Sequence, residues 1–194
     1  MSSDNPSERF KSNLIILIDI IADMFEEGYE NKVVKNDFKI LGLLKIIVKK
    51  YDGSKMLTNF IKKTNPYWEK IRDKDLDYFK DLGLQLFDIA RGEGLEKYKS
   101  ESDDDFFKSL SSSHVDNFRT LLEGEYEVDG EKLEILDDER KADIWKILHS
   151  FVRISIVFIH QERKYKDSKY TVEFFPDISV KENIDKWEIK SIKF

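Results

Sequence analysis

Between Ile144 and Ile159, 11 of 16 residues are large and apolar, a density that only the middle of a folded core accommodates. The polar residues in this run are not scattered. At 100° per residue, Lys146, His149, Ser150 and Arg153 fall within one arc about 100° wide, with Asp143 and His160 close to it. The pattern predicts a central helix over about 137–164 that the rest of the fold covers around roughly 260°. Asp137, Asp138 and Glu139 supply a cap and a negative first turn, and Gln161-Glu162-Arg163-Lys164 puts cations at the far end, both as the helix dipole favours. The β-branched content of Val152 to Ile159 leaves a strand reading of that part open.

Elsewhere the apolar spacing is also helical. Phe10, Leu14, Leu17, Ile18, Ile21, Met24 and Phe25 predict a helix over 7–27, opened by Pro6 or Ser7 and closed by Gly28. A second helix is expected from Asn36 to Tyr51, with Phe38, Leu41, Leu44, Ile47 and Val48 on its buried face and Asp52-Gly53 as its stop. Ser54 is expected to cap a third helix through Ile61, and Asn65-Pro66 to start another that carries Tyr67, Trp68 and Ile71. Further helical patterns run over 76–89, 103–110 and 113–122. Asp129-Gly130, inside Glu125 to Ile135, suits either a small hairpin or an acidic loop. Beyond Lys166 the period changes to two in Tyr170–Phe175 and Trp187–Ile192, which predicts a terminal antiparallel hairpin around Pro176 to Asp185. The expected fold is therefore mainly α: a single-domain helical bundle over 1–166 around the central helix, with a small C-terminal β-hairpin in 167–194 docked on the chain itself or on a partner.

Composition narrows the function classes. The chain has 194 residues, 40% of them hydrophobic and 14 of them Phe, enough to fold around a core of its own. It has no cysteine, which removes disulfides, thiolate metal sites and cysteine nucleophiles and fits a reducing, intracellular compartment. No apolar run reaches the roughly 20 residues of a membrane span, and Met1 to Arg9 does not read as a signal peptide. Residues 93–140 hold 16 acids against 6 bases within an overall net charge of −6, so this acidic middle disfavours nucleic acid as a partner.

Each candidate chemistry meets a specific obstacle. Asp73, Asp75 and Asp77 imitate the start of a calcium loop, but Tyr78 stands where that loop needs Gly and Leu84 where it needs a bidentate Glu. Pro176-Asp177 with Glu188-Ile189-Lys190 has the letters of a magnesium-dependent nuclease, without the strands such a site requires. His149 and His160 share a helix face but stand 11 residues apart, about 16 Å and too far for one metal ion. No phosphate loop, nucleophile elbow or triad occurs, and no pattern calls for a cofactor.

Two stretches, Tyr67 to Asp75 leading to Tyr78-Phe79 and Leu86-Phe87, and Ile144 to Leu148 running to Ile159-His160, resemble small, mostly helical, lysine- and aromatic-rich proteins of large nucleocytoplasmic DNA viruses. That resemblance implies a virion component or a protein of the infected cell, and it brings no catalytic residues. The expected function is non-enzymatic: protein–protein interaction or a structural role, as in a minor capsid or assembly component. The partners are then other proteins, capsid or assembly proteins among them, or a second copy. A nucleic-acid-associated regulator is the alternative, and a nuclease the remote one. Phe174, Phe175, Trp187 and Phe194 are the expected partner contacts, because a short hairpin cannot bury that many aromatic rings by itself. Lys146, His149, Ser150 and Arg153 are the polar stripe where any ligand would converge.

Overall fold

The computed structural model describes residues 5–34, 39–78, 120–164, 175 and 178–190, with backbone alone at 39, 40, 163 and 164. Their order is α1 (Pro6–Glu30), α2 (Lys39–Lys50), α3 (Gly53–Thr64), a 3-10 turn (Asn65–Tyr67), α4 (Trp68–Arg72), β1 (Glu125–Val128), β2 (Glu131–Glu134), α5 (Asp138–Lys164) and α6 (Val180–Lys186). The fold is mainly α with one small two-stranded antiparallel sheet. The chain divides into two compact units, one of residues 1–20, 41–74 and 142–194, the other of residues 21–40 and 75–141. Residues 178–190 belong with the helices of the first unit.

In the first unit α5 is the axis. It runs unbroken for 27 residues, about 40 Å, so the strand reading of Val152 to Ile159 gives way to helix. Val152, Ser155, Ile156 and Ile159 are almost fully buried, at the i, i+3, i+4, i+7 spacing of one face. The buried Ser155 hydroxyl donates to the Phe151 carbonyl at 2.8 Å, which satisfies it in place. Phe10 of α1, Phe60 of α3 and Phe151 of α5 close an aromatic cluster with ring centroids 4.8–5.4 Å apart, in tilted and edge-on arrangements that suit the ring quadrupoles.

The start of α3 docks on α1 through Gly53, where a Cβ would stand 3.1 Å from both the Cβ and the carbonyl oxygen of Ser7. Asp52, not Ser54, caps α3, accepting from the backbone N–H groups of Ser54 and Lys55 at 2.8 and 3.0 Å. The Ser54 hydroxyl is hydrogen-bonded instead to that of Ser7 at 3.0 Å. Asn65-Pro66 forms a 3-10 turn rather than a helix cap, and Thr64 pins it by accepting from Trp68 Nε1 at 3.1 Å.

The C-terminal part needs the main correction. Trp187 to Lys190 is no strand: α6 occupies 180–186, and a tight helix-ending turn follows. Glu188 takes φ 50°, and its N–H donates to the Asp185 carbonyl while that of Ile189 donates to the Ile184 carbonyl. This is a Schellman motif, and both Ile184 and Ile189 are buried. The alternation of buried Trp187 and Ile189 with exposed Glu188 and Lys190 comes from that turn, not from a pleat. The other expected strand, Tyr170 to Phe174, lies outside the described residues.

In the second unit Gly28 does not end α1. The helix continues to Glu30 and closes in the same motif, with Lys32 at φ 60° and the Val33 N–H donating to the Gly28 carbonyl at 2.8 Å. Gly28 is a packing position: a Cβ there would stand 2.9 Å from Leu121 Cδ2, 3.1 Å from Ile135 Cδ1 and 3.2 Å from Val34 Cγ2. The small sheet is the Asp129-Gly130 hairpin. Both turn residues have positive φ, 54° and 87°, as a type I′ loop requires, and Glu125 to Val128 pairs with Glu134 to Glu131.

That hairpin is exposed on both sides and is held by one polar cluster. The Tyr126 hydroxyl donates to Glu27 Oε1 and Arg140 Nη2 donates to Glu27 Oε2, while Arg140 Nη1 donates to the Ile135 carbonyl at 2.6 Å. Burial pushes the Glu27 carboxyl up, but the hydrogen bonds from Arg140 and Tyr126 and the charge of Arg140 outweigh it and hold the pKa below the usual range. The same bond raises the Tyr126 hydroxyl, since losing its proton beside a carboxylate is unfavourable.

Candidate functional site

The polar stripe of α5 opens onto a cleft of about 440 Å³ in the first unit. Lys146, His149, Ser150 and Arg153 line it together, as their helical spacing places them. Segments far away in sequence complete it: Arg9 from the second turn of α1, and Glu188, Ile189 and Lys190 from the turn after α6. The Schellman geometry is what brings the last three there, because it reverses the chain within one residue of the helix end. Ile154 and Val157 of α5, with Ile189, supply the apolar part of the wall.

His149 and Ser150 are committed to the fold. His149 Nε2 lies 2.8 Å from the Ile71 carbonyl; a carbonyl only accepts, so that nitrogen carries the proton. The ring stands edge-on to Trp187 at 5.4 Å. Ser150 Oγ accepts from Asn13 Nδ2 at 2.7 Å. Neither side chain activates the other, so the pair lacks the hydroxyl-to-imidazole bond of a nucleophile and its base. Lys146 Nζ donates to Asp143 at 2.7 Å. Arg9, Arg153 and Lys190 point exposed side chains at the cleft, and among the described residues no carboxylate pairs with them.

Of the four expected aromatic contacts, the two described ones are not on the surface. Phe175 and Trp187 are each only 4% exposed, packed within the first unit because the helix and turn at 180–190 fold onto it rather than standing off as a hairpin. Phe174 and Phe194 lie outside the described residues. Among the described residues, exposed large apolar side chains include Ile16, Tyr29, Val128 and Leu133, and four more gather on α2 and the residue that follows it. Leu43 is 58% exposed, Ile46 49%, Ile47 44% and Tyr51 47%. Leu43, Ile47 and Tyr51 follow one another at i, i+4, i+8 with Ile46 beside them, so the four form one stripe. α2 buries Leu41 and Val48, with Lys45 of its flank paired to Asp19 of α1. Lys49 and Lys50 are exposed at its end.

Other sequence candidates resolve locally. Asp73 pairs with Arg72 at 2.9 Å, and Asp75 accepts from the Tyr78 N–H at 3.1 Å, each a use at a helix end. Among the described residues no cluster of three or more His, Asp or Glu could hold a metal ion, and no helix is long and apolar enough to cross a membrane. No protein-family model, no curated protein and no solved structure matches the chain.

Proposed function

We propose that this chain is a protein-binding module without a catalytic role, and that the stripe of Leu43, Ile46, Ile47 and Tyr51 is its docking surface. One observation carries the reading: among the described residues α2 buries Leu41 and Val48 and leaves Leu43, Ile46 and Ile47 exposed, with Tyr51 exposed just beyond its end. Single exposed aliphatic side chains are ordinary, but four in consecutive turns cost solvation that only a partner recovers. The exposed Lys49 and Lys50 beside the stripe favour a partner whose apolar ridge is rimmed by carboxylates. A virion-associated or assembly role is the finer form of this reading and rests on the sequence resemblance.

The test is affinity capture of the full chain from its native source, comparing the unaltered protein with Leu43→Glu and Ile47→Glu. Both positions are exposed, so the variants retain the unfolding midpoint. A stoichiometric protein partner retained by the unaltered chain and lost by both variants is the expected result. The same bound set with all three proteins, or no partner with any, overturns the proposal.

A further inference from the structure

A second binding site, independent of the α2 stripe, lies on the polar side of α5. We infer that the cleft beside Arg153 binds a small organic phosphate carrying two or more negative charges. The charge balance is the first argument: the protein as a whole has 33 basic residues against 39 acidic ones, yet among the described residues the cleft gathers Arg9, Arg153 and Lys190, together with the Asp143-paired Lys146, around one carboxylate, that of Glu188. Three separate stretches of chain deliver these cations to one place. Like charges brought together by folding repel one another, and Arg9, Arg153 and Lys190 form no described ion pair, with the single carboxylate of Glu188 beside them too little to balance all three, so an added anion relieves the repulsion.

Shape and chemistry narrow the ligand. At about 440 Å³ the cleft falls in the range of small-molecule sites. It is a local, half-open cleft rather than the long basic track that a nucleic acid backbone follows. Two of the cations are arginines, whose planar forks match phosphoryl oxygens. The half-buried Val157, with the largely buried Ile154 and Ile189 in the same lining, offers a small apolar contact for an organic body attached to the phosphates. His149 and Ser150 are already fixed by Ile71 and Asn13, so the ordering that accompanies binding falls on the exposed Arg9, Arg153 and Lys190.

The test is calorimetric titration of the full chain at physiological salt with ADP and, separately, with inorganic pyrophosphate. ADP is expected to bind saturably with a submillimolar Kd and pyrophosphate more weakly. Arg153→Gln and Lys190→Gln should each weaken ADP about tenfold, the size of one lost charge-assisted hydrogen bond, and Glu188→Gln should tighten it. In the absence of ligand, Arg153→Gln and Lys190→Gln should leave the unfolding midpoint unchanged or raise it, which a purely structural role for those residues would not do. The inference is overturned by no saturable binding of either probe, by ADP affinity insensitive to both substitutions, by pyrophosphate binding as tightly as ADP, or by a single-stranded oligonucleotide outcompeting ADP.

Discussion

Replacing Gly28 with Ala tests the packing of the second unit against the local preference of its helix. In a helix interior Gly→Ala is worth up to about 1 kcal/mol in favour of Ala. At Gly28 the added methyl would meet Leu121, Ile135 and Val34 at 2.9, 3.1 and 3.2 Å, where carbon atoms rest at roughly 3.5–4.0 Å. Three side chains must therefore retreat by a few tenths of an ångström or more at once, and overpacking of that kind costs about 1–3 kcal/mol. The net expectation for Gly28→Ala is a loss of about 1 kcal/mol. Gly42 is the internal control, a helical glycine of α2 whose added Cβ would have nothing within 4 Å. Gly42→Ala should gain about 0.5–1 kcal/mol. Urea unfolding followed by circular dichroism measures both, with the midpoints moving in opposite directions at constant slope. If Gly28→Ala stabilised the protein as much as Gly42→Ala, the account of Gly28 as a packing glycine would be wrong.

Acid should expose the cluster around Glu27. Its pKa is lowered in the folded chain, so its stabilising contribution is complete above the ordinary value near 4.5 and is lost as the pH falls below that value through the folded one. Tyr126→Phe, which removes one donor to Glu27, should cost about 1 kcal/mol at neutral pH and flatten the pH profile below pH 4.5; an unchanged profile in thermal melts would contradict the cluster. Lys32 and Lys74 occupy left-handed backbone at helix ends, φ 60° and 54°, where glycine is favoured. Lys32→Gly and Lys74→Gly should each raise stability by about 0.5–1 kcal/mol in chemical unfolding, and a loss of that size at both would refute the assigned caps.

Much of the helical architecture is legible from spacing alone, since an apolar run with a polar arc can sit in a core in only one way. The central helix and its stripe follow from that. What the pattern misses depends on side chains it cannot place. Gly28 reads as a helix stop because glycine usually marks one, whereas here three aliphatic side chains press on its Cα, and the actual stop uses Lys32, which carries no terminator signature. Trp187-Glu188-Ile189-Lys190 alternates like a strand because a Schellman turn buries the residues on either side of its left-handed position. Ile47 shares a face with Leu41, Leu44 and Val48 by its spacing, and the structure exposes it: it lies at the edge of that apolar arc, where period alone does not decide burial. The cleft was half visible, in Lys146, His149, Ser150 and Arg153, but Arg9 and Lys190 reach it from 144 and 37 residues away along the chain, and only tertiary folding brings them there.

The docking role of α2 is the claim on which the functional account rests. Its most direct test is a photo-crosslinking amino acid placed at Leu43 in the full chain within its native source, with the same group at the exposed Glu139 as control. The account predicts a discrete protein adduct from position 43 and none from position 139. No adduct at 43, or the same adducts from both positions, would contradict it.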